Sequence, residues 1–282
     1  FETFKMSENS RVNIYSTDLS QNLRSFTAND NNAQNQLWTP VLLTEDAIIE
    51  LVIPKNEIQD VQFSLTKINQ GYRKFSETTE KSGSCNVDVV CSEGNDWENE
   101  INAVAVISTG GSTFCTGFMV NNTLNDKTPF FMTAAHCRIS ASNASSLVTY
   151  WNYQKTSCAG RANGTLKQFT TGSTFLAGSS KSDFTLVKLN SQPDAAFNVR
   201  YAGWDRTGED AVKAVAIHHP ATDEKSISFE NDPTTVTTYL REVVPGDGTH
   251  VRVTDWDQGT TEPGSSGSPL FDQNHRVIGQ LH

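Results

Sequence analysis

The chain has 282 residues, 36% of them apolar, 9% aromatic and 19% charged, and its 22 Lys and Arg against 32 Asp and Glu give a net charge of −10. That length holds one large domain or two ordinary ones, and the composition builds a real core with too little charge for a disordered acidic chain. An acidic surface repels phosphate backbones, which argues against nucleic-acid binding. No apolar run approaches the roughly 18–20 residues of a membrane helix, so the chain reads as soluble, with no membrane insertion.

Residues 1–75 form a first unit. Val12-Asn13-Ile14-Tyr15, the run from Ala47 to Ile53 and the run from Val61 to Leu65 read as strands, with turn chemistry at Asn29-Asp30-Asn31-Asn32 and Pro54-Lys55-Asn56-Glu57. The expectation is a small antiparallel sandwich. Residues 1–80 carry seven basic and eleven acidic side chains and neither Cys nor His. A folding, inhibitory or binding role is easier to build from that set than a catalytic one, and a carbohydrate- or surface-binding module is a second reading. Residues 71–84 are polar, and the linker is assigned to 76–84.

All five cysteines and all six histidines follow, so the chemistry falls to residues 85–282. Strands are expected at Ala103 to Ser108, Phe130 to Thr133, Leu147 to Trp151, Phe184 to Leu189, Ala214 to Ile217 and Val277 to Gly279. Helical periodicity is scarce, and the 18 glycines point to a β-rich fold with many turns. No pair among Cys85, Cys91, Cys115, Cys137 and Cys158 has C-x-x-C spacing, which speaks against zinc. Either these are free thiols of a cytosolic protein, or they are two disulfides and one unpaired cysteine of an exported one. The second is preferred. The chain opens on Phe1 with no leader and stops within the strand-like Arg276 to His282, so it reads as a trimmed piece. Asn121, Asn143 and Asn163 begin N-x-S/T triplets, which are common by chance and matter only in a eukaryotic secretory pathway.

Three segments can carry chemistry. In Thr133-Ala134-Ala135-His136-Cys137 an imidazole follows an apolar run, and a Cys115–Cys137 bridge would close the loop that holds it, as a general base requires; alone, such a His is more often just packed. Asp183 precedes a strand and is an ordinary solvated carboxylate unless it lies behind His136, where it would set the imidazole tautomer. In Glu262-Pro263-Gly264-Ser265-Ser266-Gly267-Ser268-Pro269, two prolines bracket a shaped turn. That turn can aim the N–H groups of Gly264 and Ser266 at one point, the geometry of an oxyanion hole.

T-A-A-H-C, S-D-F-T-L and G-S-S-G-S-P resemble, in order, the catalytic segments of chymotrypsin-like serine proteases, at separations of 47 and 83 residues. The likeness is closer to bacterial lysyl endopeptidases over about residues 82–282. It runs through Cys85-Asn86-Val87-Asp88-Val89-Val90-Cys91, Cys115-Thr116-Gly117, Tyr150-Trp151-Asn152-Tyr153-Gln154, Ala202-Gly203-Trp204-Asp205-Arg206 and Ile217-His218-His219-Pro220. The resemblance implies an all-β, chymotrypsin-like pair of six-stranded barrels, the second incomplete at the C-terminus. It implies a secreted, monomeric serine endopeptidase with His136, Asp183 and Ser266 as its triad, acting on proteins or peptides, with no cofactor and no metal. Cleavage after Lys is expected, with cleavage after Glu or a non-catalytic binding homologue as the alternatives.

The resemblance also implies disulfides Cys115–Cys137 and Cys91–Cys158, with Cys85 paired to a cysteine beyond His282. It puts Trp204 and His250 beside the catalytic His. His218 and His219, adjacent in a strand, face opposite ways and read as structural. In many animal members of the fold an Asp before the nucleophile pairs with the freed N-terminus; here Ser265 stands there, which removes that ion pair. The acidic residue that sets lysyl specificity would lie beyond His282. Residues 1–75 then read as a prodomain, and Lys74 or Lys81 as the point where the enzyme cleaves itself.

Overall fold

The computed structural model describes residues 1–71, 82–241 and 243–282. Most of the expected linker, with Lys74 and Lys81, lies outside the described residues. The anticipated strands form, at Arg11–Ser16, Ala47–Val52, Gln62–Ser64, Val104–Thr109, Phe130–Ala134, Val148–Trp151, Phe184–Leu189, Ala214–His218 and Arg276–Gln280. Among the described residues no helix is long and apolar enough to cross a membrane.

The largest sheet runs, in spatial order, through Phe169–Thr171, Val148–Trp151, Val104–Thr109, Thr113–Met119, Phe130–Ala134, Phe184–Leu189 and Ser173–Ser179. Its two outermost strands are consecutive in the chain and separated by Gly172 alone. One residue cannot span an open sheet, so the sheet curls until its edges meet and forms a barrel. Gly172 makes that corner at φ +77°, where an added Cβ would lie 2.5 Å from the Asn190 side chain.

Alternation explains the barrel's two faces. Ala105 and Ile107 point inward, onto Phe131, Trp151, Val187 and Leu189. Val106 and Val148 point outward, yet they too are buried, because Phe4, Met6, Val12, Ile14, Phe26 and Leu37 pack on them together with Tyr150 and Phe169. Every residue of Val104–Thr109 is buried, and the strand opens on the unbroken apolar run Val104 to Ile107 rather than on an alternating pattern.

The N-terminal residues themselves build two small sheets, Thr3–Lys5 with Gln62–Ser64, and Phe26–Thr27, Arg11–Ser16 and Ala47–Val52 in that order. Their apolar side chains share one cluster with the barrel's outer face. The Val41 N–H donates to Tyr150 Oη at 3.1 Å, and the Ser145 hydroxyl donates to Gln36 Oε1 at 2.8 Å.

The second large sheet runs Gly203–Trp204, Arg276–Gln280, Pro269–Asp272, Ala214–His218, Ser226–Glu230 and Val87–Asp88. Only its first pair is parallel. Trp97, Val104, Phe118, Val215, Ile217, Ile227 and Phe271 fill the space between it and the barrel. This all-β architecture, a closed barrel facing a second, six-stranded sheet, is the chymotrypsin-like fold expected above.

Candidate active site

His136 and Asp183 are brought together by strand register. Phe130–Ala134 pairs antiparallel with Phe184–Leu189, with Ala134 opposite Phe184. The residues just outside that pair, Ala135 and Asp183, must then be neighbours, although 47 positions separate His136 from Asp183 in sequence. The Ala135 N–H donates to Asp183 O at 2.9 Å. The His136 N–H donates to Asp183 Oδ1 at 2.9 Å, and His136 Nδ1 lies 2.7 Å from Asp183 Oδ2. Asp183 holds φ +50° and is 4% exposed, so the carboxylate is desolvated and aimed by a turn backbone that Asp tolerates better than most residues. His136 sits in the single turn Ala135–Cys137, tied back by the Cys115–Cys137 disulfide.

Ser266 comes from the opposite sheet. Its carbonyl accepts the Thr116 N–H at 2.8 Å and lies 3.9 Å from Cys137 Sγ, one residue from His136. Gly267 donates to Leu281 O at 2.8 Å, and Leu281 donates to Ser268 O at 2.9 Å. The turn presses on the barrel: a Cβ on Gly267 would stand 2.2 Å from Thr133 Oγ1 and 2.4 Å from Thr116 O. Only glycine fits, and at φ +83° only glycine is unstrained. Among the described residues the N–H groups of Gly264 and Ser266 donate no hydrogen bond. No hydrogen bond joins Ser266 Oγ to His136; in unliganded enzymes such bonds are often long and tighten only with substrate.

Among the described residues, the aromatic neighbour of His136 is His282, at 4.8 Å between ring centroids. Its Nδ1 lies 2.6 Å from Asp183 Oδ2, the same oxygen that faces His136, while Gln280 Nε2 donates to Asp183 O at 2.5 Å. Tyr239 packs against His282 with ring centroids 4.3 Å apart and planes tilted by 58°, and His250 follows Tyr239 at 5.1 Å. His250 is thus the fourth ring of a row, and not the one beside His136. Trp204 is not in the row. It lies on Gly203–Trp204 beside Arg276–Gln280, and its indole N–H donates to Asn121 O at 2.9 Å. Arg276–Gln280 folds back on Pro269–Asp272, just past Ser266, and this return places His282 at the site.

His136, Asp183 and His282 offer three ligand-type atoms within 4.8 Å of one another. Both imidazole nitrogens stand 2.6–2.7 Å from Asp183 Oδ2. Atoms bound about 2.1 Å from one tetrahedral zinc keep roughly 3.3 Å between them, so this spacing is that of hydrogen bonds. The Cys115–His136–Cys137 group has both sulfurs in a disulfide.

His218 and His219 are fully buried and serve different partners. His218 Nδ1 lies 2.8 Å from Ser265 Oγ and its Nε2 3.0 Å from Ser228 Oγ, while His219 Nδ1 lies 2.8 Å from Asp223 O and its ring stacks on Tyr153. Burial lowers the His218 pKa to about 3. Cys91 is bonded to Cys158, and Cys85 is exposed and unpaired among the described residues.

Residues 79–282 match the family described as lysyl endopeptidase, C-terminal domain. A lysyl endopeptidase of Pseudomonas aeruginosa is 32% identical over 280 residues, covering 90% of this chain and 58% of that protein, so the chain spans little more than half of its relative's length. Two similar solved structures are the inactive form of the Rv3671c protease, at 16% identity and TM-score 0.42 over 69% of this chain and 84% of that one, and the HtrA-type protease AlgW with a tripeptide, at 14% and 0.44 over 67% and 53%. With residues 79–282 matched by the family and a lysyl endopeptidase 32% identical over 90% of the chain, the chain belongs to the lysyl endopeptidase family.

Proposed function

We propose that this chain is the catalytic portion of a secreted serine endopeptidase that cleaves after Lys, preceded by a prodomain in residues 1–75 and a linker in 76–84. Ser266 Oγ attacks the peptide carbonyl while His136 Nε2 takes its proton. Asp183 holds the imidazole with Nδ1 protonated and stabilises the cation formed. The N–H groups of Gly264 and Ser266 bind the oxyanion. His136 then returns the proton to the leaving amine, and water repeats the sequence on the acyl-enzyme to release the acid. The observation that carries this reading is the double grip of Asp183 on His136, through Oδ1 to the backbone N–H and Oδ2 to the ring. Two disulfides suit an oxidising compartment and support secretion. Lys specificity rests on the family.

Intact mass after exposure to a fluorophosphonate probe tests the reading, with Ser266→Ala alongside. One adduct on the wild type and none on the variant is expected. A wild type that takes no adduct would leave a binding homologue. Matched peptides with Lys, Arg or Glu before the scissile bond then read the specificity, and a preference for Glu would replace the lysyl assignment.

A further inference from the structure

Residues 82–86 lie far from the Ser266 turn in sequence and are bonded to it in space. Glu262 stands four residues before Ser266. Its Oε1 accepts the Gly83 N–H at 2.8 Å and the Asn86 side-chain amide at 2.6 Å. One residue earlier, the Ser82 N–H and hydroxyl both donate to Asp223 Oδ2 at 3.2 Å. Asp223 closes the turn Pro220–Thr222, and that turn abuts Gly264: a Cβ on Gly264 would lie 2.7 Å from Thr222 N and 3.1 Å from His219 O. The two carboxylates that hold residues 82–86 therefore sit on the two segments flanking Gly264, the residue whose N–H the proposed mechanism assigns to the oxyanion.

The inner side of the same turn is held by neutral groups. Ser265 is buried, accepts the Glu262 N–H at 3.2 Å and shares a 2.8 Å hydrogen bond with His218. Thr116 Oγ1 donates to Gly264 O at 2.9 Å. The turn is thus pinned at Ser265 and Gly264 O from within and, among the described residues, at Glu262 from outside. Pro263 is the single residue between Glu262 and Gly264, so a rotation at Glu262 passes directly into the Gly264 peptide.

We propose that Glu262 is a positioning residue for the oxyanion-binding turn, and that residues 83–86 act through its carboxylate as the outer brace of the Gly264 N–H. This inference rests on the serine-protease reading for its effect on rate and on geometry alone for its effect on the turn. It gives the segment just after residues 72–81 a task in the site that needs no ion pair at the position before the nucleophile.

The test compares wild type, Glu262→Ala, Glu262→Gln and Asn86→Ala in the full protein. Losing an oxyanion donor outright costs about 10²–10³ in rate, so a displaced one should cost less. Glu262→Ala should lower kcat and the fluorophosphonate labelling rate about ten-fold, with KM within two-fold of wild type. Glu262→Gln, whose amide oxygen accepts the same two bonds, should recover most of that loss, and Asn86→Ala should show a smaller loss in the same parameters. A Glu262→Ala rate within two-fold of wild type, a loss carried by KM, or a Gln variant as impaired as Ala would overturn the proposal. Hydrogen exchange, measured with Ser266→Ala as background, separates this from the catalytic reading. Glu262→Ala should speed exchange in residues 259–268 by ten-fold or more and leave 104–109 unchanged, and unchanged exchange in 259–268 overturns the brace. A wild type that takes no probe overturns the protease reading, and the exchange result still decides whether Glu262 holds the turn.

Discussion

The barrel and the second sheet deliver their groups to the site by different means. The barrel supplies His136 and Asp183 through strand register, with a disulfide behind the His and an N–H bond to each side of Asp183. The second sheet supplies Ser266 and His282 from a turn and a strand end, held by glycine contacts, a buried His218–Ser265 bond and the Glu262 brace. Register is shared by every residue of a strand pair and is hard to shift by one substitution. A turn held by separate side-chain bonds can be moved one bond at a time. On the proposed mechanism, the His136–Asp183 pair should then fail only when its own atoms change, and the Ser266 side should respond to distant ones.

The largest expected effect lies on the barrel side. Asp183→Asn keeps the shape and the bond from the His136 N–H to an oxygen, but it can turn an amide N–H toward His136 Nδ1. The ring would then carry its proton on Nε2, where it cannot accept from Ser266. A fall of about 10⁴ in kcat is expected, with the thermal midpoint little changed. A fall below 10² would mean that register alone does not set the tautomer and that His282, bonded to the same carboxylate oxygen, compensates.

Next in size is a change far from the site. Phe4 is fully buried in the cluster that the N-terminal sheets share with Val106, Val148 and Tyr150. Phe4→Ala should cost about 3–5 kcal/mol. At about 2–4 °C per kcal/mol, calorimetry should show one transition moved down by roughly 10 °C. Two transitions, with only the smaller one moved, would show that the N-terminal unit melts by itself and lends the barrel nothing.

Much of this was legible before the structure. Strand positions follow from apolar runs and turn residues. The His136, Asp183 and Ser266 segments are each weak signals alone, and it is their order together that carries the resemblance from which their roles are expected. What was not legible depends on pairing between distant segments. Nothing near Val106 says that its outward face meets Phe4 and Val12; only the unbroken apolar run Val104 to Ile107 hints at burial on both sides. The row of rings from His136 through His282 and Tyr239 to His250 was not legible either, because those residues meet through a hairpin and a strand return whose registers no local pattern encodes. Glu262 looked like part of a motif, and its partners lie 176 and 179 residues away.

The smallest of these effects tests the second sheet through its interior. His218 is buried between two hydroxyls, so one ring nitrogen donates, the other accepts, and the ring is neutral. Its pKa is lowered from 6.5 to about 3 by burial, and that of neighbouring His219 is also lowered, by burial first and then by Lys225. Between pH 6.5 and 3 the unfolded chain binds a proton at His218 that the folded chain refuses. Stability must therefore fall as pH falls through that window, by about 1.4 kcal/mol per unit for this one group, or about 2 kcal/mol at pH 5. His218→Gln cannot take up the proton and can still offer one donor and one acceptor. Urea unfolding from pH 7 to pH 4.5 should show a shallower loss for the variant, with His219 supplying part of what remains. If the two slopes coincide, the His218–Ser265 bond opens in acid and lets the ring charge in place. The turn behind Ser266 would then be softer than the barrel that holds His136, and acid should reduce kcat before it reduces stability.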